Sequence, residues 1–143
     1  MNASTAKGLQ PIHCYGNDFL DMYYDPIIHV LLVDWKGYQS EESIRHGAEV
    51  LMAMMVTHGC YLILNDNTQV RGMFTVVAEW GGTVWFPDMV RKGMKKFAWI
   101  YGPAVLSQLS ADEVISYLPN SQTPIRTFRD REKALEWLLD VKH

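Results

Sequence analysis

Cysteine is scarce: Cys14 and Cys60 stand alone in 143 residues, with no CxxC pair and no metal-ligand spacing. One bridge is the most that two thiols can form, so a disulfide framework is excluded and free thiols in a reducing compartment are the simpler reading. A basic surplus is also missing. Thirteen Lys and Arg face sixteen Asp and Glu, a formal charge of −3, which argues against a nucleic-acid binder. The densest positive patch, Arg91-Lys92 with Lys95-Lys96, reads as a solvated helix end. No apolar run approaches the roughly 18–20 residues that a membrane span needs. The longest, Ile27 to Val33 and Val50 to Val56, fit buried elements better. The opening MNASTAKGLQP lacks the apolar centre of a secretory signal. These absences together predict a cytoplasmic protein that is not transmembrane.

Catalytic and cofactor motifs are absent as well. There is no GxSxG, HExxH, Walker A or dinucleotide fingerprint. The five histidines do not assemble: His46 and His58 lie twelve residues apart on one predicted helix and diverge by about 120°, while His13, His29 and His143 stand alone. No catalytic residue, metal ligand or cofactor is expected on this ground.

What remains is ordinary globular material, 48% hydrophobic, 20% charged and 12% aromatic. Residues 1 to about 16 read as a loose lead-in broken by Gly8, Pro11, Gly16 and Asn17, and 17–143 as a single domain. Phe19–Tyr24 and Ile27–Trp35 are β-rich runs across an Asp25-Pro26 turn, which predicts an antiparallel hairpin. Ser40 caps a helix with Glu41 and Glu42 in its first turn, and Ile44, Ala48, Leu51, Met52 and Met55 repeat at helical spacing up to Gly59. Cys60–Leu64 is a continuous apolar strand of the kind covered on both faces. From Thr75 to about Gly93 the pattern is helical but interrupted by Gly81-Gly82 and Pro87, as two pieces or one kinked helix. Lys96–Tyr101 is a fourth strand, Ser110–Glu113 a capping box opening a short helix to about Leu118, and Ile125–Phe128 a fifth strand. Asp130 caps a last helix whose stripe is Ala134, Leu135, Trp137, Leu138 and Val141. The expected class is α/β: an open five-stranded mixed sheet, with an opening antiparallel hairpin and then helices alternating with mostly parallel strands.

Gly102-Pro103-Ala104-Val105 after a strand, then Ile125-Arg126-Thr127-Phe128 and Glu132-x-Ala134-Leu135-x-Trp137-Leu138, resemble the closing third of STAS domains, the group of bacterial anti-sigma-factor antagonists of the SpoIIAA type. Asp34-Trp35-Lys36-Gly37-Tyr38 is similar to uncharacterised bacterial members of the wider SpoIIAA-like group. The resemblance spans about residues 19–140. It implies a regulatory or binding module that works through a protein partner without catalysis. Phospho-regulated members carry an Asp-Ser-Ser/Thr-Gly type motif after the third strand, and its hydroxyl is phosphorylated. Here that region reads Asn65-Asp66-Asn67-Thr68-Gln69-Val70-Arg71-Gly72-Met73-Phe74-Thr75. The motif is absent, and Thr68 and Thr75 are the hydroxyls left for phosphorylation.

Two clusters invite a ligand. Asn65, Asp66, Asn67, Thr68 and Arg71 follow the central strand, where open parallel sheets place their binding crevice, and precede a helix whose amides suit an anion. The competing reading is a structural turn, since Asn and Asp bond to their own backbone. Trp80, Trp85 and Phe86, with Trp99 and the methionines Met54, Met55, Met73, Met89 and Met94, supply the walls of an apolar pocket or else a plain core. Three functions follow: a protein partner on the polar rim, a small-molecule or lipid ligand in the aromatic region, or an enzyme of unrecognised type around Asn65, Asp66 and Arg71. Self-association through the first strand or a helix face is compatible with all three.

Overall fold

In a computed structural model, residues 10–71, 77–102, 105–119 and 124–140 are described. Six strands form one sheet in the order of the chain: β1 (Ile12–Gly16), β2 (Leu20–Asp25), β3 (Val30–Tyr38), β4 (Leu62–Arg71), β5 (Lys96–Ile100) and β6 (Ile125–Phe128). The first three pair antiparallel and the last four parallel. The class is α/β as expected, with one strand more than the sequence predicts. The extra strand is β1, within the segment read as a lead-in. Its breakers turn the chain into β2: the Asn17 Oδ1 accepts from the amides of Phe19 and Leu20 at 2.7 and 3.0 Å. A register shift between His13 and Tyr15 marks this edge, a common device for ending pairing.

Between the parallel strands lie α1 (Glu41–His58), then α2 (Ala78–Trp80), a π-helical turn (Gly81–Trp85) and α3 (Phe86–Arg91) in unbroken succession, then α4 (Val105–Ser116); α5 (Arg131–Leu138) follows β6. Ser40 and Ser43 complete a reciprocal cap on α1, and Gly59 ends it at φ 58°, a left-handed position. Asp130 caps α5 by accepting from the Lys133 amide. The kinked-helix reading of 75–93 is resolved as one helical run carrying a π turn, a feature often found at functional sites. Ser110 is not a helix cap. It lies inside α4 and is buried, because the helix begins five residues earlier.

Strands added in sequence along one direction, with right-handed crossovers, put their connecting helices on one face. The core divides accordingly. Leu31, Val33 and Ile63 pack with Leu51 of α1, Phe86 of α3 and Val114 of α4 on one side of the sheet. Val30, Leu32, Leu64 and Ala98 pack with Ala134 and Leu138 of α5 on the other. The strand β4 therefore feeds both faces, with Ile63 on one and Leu64 on the other. Cys14 and Cys60 are free thiols, and burial pushes the Cys60 thiol up to about 11, which makes it inert as a nucleophile at neutral pH. Met55, Met89 and Met94 are core residues. Of the residues singled out above, Gly8, Gly72, Met73, Phe74, Thr75, Pro103, Ala104, Val141 and His143 lie outside the described residues.

Candidate functional site

Asn65, Asp66 and Asn67 do not form a turn after the central strand. They are the strand: β4 runs on to Arg71, with Asn65 opposite both Val33 and Trp99. Ladder pairing on two sides outweighs the turn preference of these residues. All three are buried, and the next helix starts only at Ala78, so its amides do not adjoin the run. Strand alternation then sends the amides to one face and the carboxylate to the other.

On the amide face lies a cavity of about 70 Å³ between α1, the π turn with α3, the end of α4 and the strands β3 to β5. Asn65 and Asn67 line it together with Trp80, Trp85 and Phe86, so the aromatic cluster and the two amides meet at one place. Four of the five tryptophans border this space: Trp35, Trp80, Trp85 and Trp99. Its polar chemistry is a short directed chain. Trp35 Nε1 donates to Asn65 Oδ1 at 2.7 Å, and Asn65 Nδ2 donates to Asn67 Oδ1 at 3.1 Å. Trp85 Nε1 donates to the Ala48 carbonyl at 3.0 Å. Trp99, only 5% exposed, has a buried Nε1 with no acceptor among the described residues. At the outer side, the Arg45 guanidinium lies 4.5 Å from the Trp80 ring centroid and is held by Glu41 at 3.0 Å.

Beneath, Phe97 sits in a herringbone with Phe86, Trp85 and Trp99 at centroid distances of 4.8, 6.1 and 6.0 Å. The Trp35 ring reaches this layer only because Gly47 of α1 has no side chain; a Cβ there would stand 2.4 Å from Trp35 Cη2.

On the opposite face, Asp66 meets Arg131, the first residue of α5. Arg131 Nη1 donates to Asp66 Oδ2 at 2.7 Å and approaches Asp34 Oδ1 at 3.4 Å, while Asp66 Oδ1 accepts from the amide and hydroxyl of Thr68 at 2.9 and 2.7 Å. Burial raises the Asp34 carboxyl above its ordinary 3.8, Arg131 opposes the rise and Asp66 adds to it. A raised carboxyl binds its proton more tightly in the fold than in the unfolded chain. Its penalty is absent below about 3.8 and grows as pH rises through the folded value. We therefore expect Asp34→Asn to be more stable than wild type at pH 7, with the gain vanishing toward pH 4. Urea midpoints between pH 4 and 8 check this, and a gain that persists at pH 4 contradicts it.

Thr68 and Arg71 alone of the polar cluster are exposed, at the carboxyl end of β4. The Arg71 guanidinium stands 6.0 Å from the ring of Tyr38, which is 70% exposed. The five residues of the cluster thus split three ways: two into the cavity, one onto Arg131 and two onto an outer rim. Sequence reasoning missed Trp35, whose hydrogen-bond partner Asn65 lies 30 positions away, and Asp34 with Arg131, separated by 97 positions. Among the described residues no group of three or more His, Cys, Asp or Glu could hold a metal, and no helix is long and apolar enough to cross a membrane.

The SpoIIAA-like family model matches residues 30–139, well over half of the chain. The chain belongs to the SpoIIAA-like family. A crystal structure of an uncharacterised protein from the DUF3478 family with a SpoIIAA-like fold, from Shewanella loihica PV-4, is similar at 18% identity, with 90% of this chain and 92% of that chain covered and a TM-score of 0.47. No curated protein matches. The SpoIIAA-like match covers β3 through α5 and so includes every residue of the cavity and of the Asp66–Arg131 pair. The β1–β2 edge lies before it.

Proposed function

We propose that this SpoIIAA-like domain is a non-enzymatic binding module for a small, mainly apolar molecule seated between α1, the π turn and β4. The observation that carries the reading is the cavity itself: four tryptophans border it, and the hydrogen-bonded amides of Asn65 and Asn67 stand in its wall. Apolar concavities with a few fixed polar groups are the common form of small-molecule sites. The polar groups here are amides and indoles, which orient a ligand and do not attack it. Native mass spectrometry of protein purified gently from its host is expected to show a bound small molecule. The variant Ala48→Leu, which fills the cavity from α1, is expected to lose it. A bare mass for the wild type, with no tryptophan fluorescence change on adding apolar compounds, would overturn this reading.

A second reading has its own observation. Tyr38, Arg71 and Thr68 form an exposed patch at the carboxyl ends of β3 and β4, where the resemblance to antagonists places a protein partner. This reading keeps Thr68 as the candidate hydroxyl for phosphorylation. A partner there should be lost on Arg71→Glu while the cavity ligand is retained. A partner that binds Arg71→Glu and Tyr38→Ala unchanged excludes the patch.

A further inference from the structure

We infer that the Trp80 ring is the movable door of the cavity and that Arg45, held by Glu41, is its latch, so that this pair sets how fast a small apolar molecule enters and leaves. The inference rests on the reading of the cavity as a ligand site and adds the control of access to it. Of the described residues that line the space, Gln39 and Trp80 alone are also partly exposed, and the others are buried. These two therefore stand at the mouth, one just ahead of α1 and one at the end of α2. They are held differently. Gln39 is a fixed post: its Nε2 donates to the carbonyls of Phe19 and Lys36 at 3.1 and 3.0 Å, and its Oε1 accepts from Ser43 Oγ at 2.7 Å. Trp80 is covered by the Arg45 guanidinium, 4.5 Å from its ring centroid, and Glu41 holds Arg45 through Nε at 3.0 Å. The two residues that follow Trp80 are Gly81 and Gly82, which carry no side chain to brace it.

The π turn explains why this ring faces inward. Trp80 and Trp85 are five residues apart, a spacing that an α-helix sets about 140° apart. Here the Phe86 amide donates to the Gly81 carbonyl, an i→i+5 bond, and such a turn brings residues five apart onto one face. Both rings therefore line the same space. Trp85 is buried and fixed by its bond to the Ala48 carbonyl, whereas Trp80 stays at the rim. A side chain open to water on one side turns between rotamers within nanoseconds, and the Arg45 contact opposes that turn. An exposed cation–π pair is strong enough to shift an opening equilibrium a few fold and weak enough to break often. Arg45 is not part of the lining, so it holds the loaded and the empty form shut alike. A contact with no preference between the two forms changes entry and exit by one factor and leaves affinity alone.

Xenon is the probe, because it is small and neutral and apolar cavities take it up. Xenon exchange NMR on the whole protein, confirmed bare by native mass spectrometry, gives affinity and rates together. Arg45→Gln should raise entry and exit about two- to fivefold, the range of an exposed cation–π contact, with the dissociation constant unchanged. Arg45→Lys keeps the charge and should lie closer to wild type. Glu41→Gln frees Arg45 and should act in the same direction by a smaller factor. Trp80→Ala removes the door and should exchange faster than any of these. Unchanged rates in Arg45→Gln, or a changed affinity there, overturn the latch and leave the cavity reading standing. Wild-type rates in Trp80→Ala overturn the door in the same way. A wild-type protein that takes up no more xenon than Ala48→Leu overturns the cavity reading and this inference with it.

Discussion

Phe97→Ala is expected to destabilise the protein by about 3–5 kcal/mol, the range for truncating a buried aromatic. Phe97 is 2% exposed on β5 and forms the hub beneath the cavity, in edge-on contact with Phe86, Trp85 and Trp99. Its loss removes the transfer free energy of the ring and leaves a void that three large, interlocked side chains cannot close without leaving their rotamers. The void would open next to the existing space, so the ligand site should enlarge. Chemical denaturation gives the size of the loss, and a change under about 1.5 kcal/mol would show that the aromatic layer repacks. The binding consequence is separable: larger apolar rings should gain on smaller ones in Phe97→Ala, because Phe97 lines the cavity and its loss adds space there.

The sheet was legible because its signals are local. β-rich runs on either side of the Asp25-Pro26 turn mark β2 and β3, Ser40 and Gly59 bound α1, and Asp130 opens α5; each of these features is confined to one turn or one strand. The site was legible only in pieces. Asn65-Asp66-Asn67 reads as a turn because its three residues favour turns in isolation, yet their place in the chain is set by neighbours on both sides, Val33 and Trp99, which are far away in sequence. Once they are placed in a strand, alternation alone predicts that the two amides share a face and the carboxylate does not. Trp80, Trp85 and Phe86 were visible as an aromatic cluster, but not what they would face. Arg131 was beyond reach, since nothing near it signals that β6 delivers the start of α5 to the end of β4. The strand β1 was missed for the opposite reason: breakers on both sides of a five-residue strand look like a loop.

Gly82→Ala is expected to cost about 3 kcal/mol or more, while Gly81→Ala, one residue away, should be neutral or gain up to about 1 kcal/mol. Neither glycine has a positive φ, so neither is needed for backbone conformation. The difference is space. A Cβ on Gly82 would stand 2.7 Å from the Val114 carbonyl oxygen and 2.9 Å from the Tyr117 carbonyl carbon, both backbone atoms at the end of α4. No rotamer change relieves a backbone contact, so α4 would have to move. Among the described residues, a Cβ on Gly81 meets only Val114 Cγ1, at an ordinary 3.5 Å. The paired glycines therefore serve close approach of α4 to the π turn, and Val114 on that helix borders the cavity. Displacing α4 should loosen the roof, so Gly82→Ala should also weaken the binding of a small apolar molecule in the cavity. Thermal melts and calorimetry on the two variants decide the matter, and equal stability of both would show that α4 does not close this site.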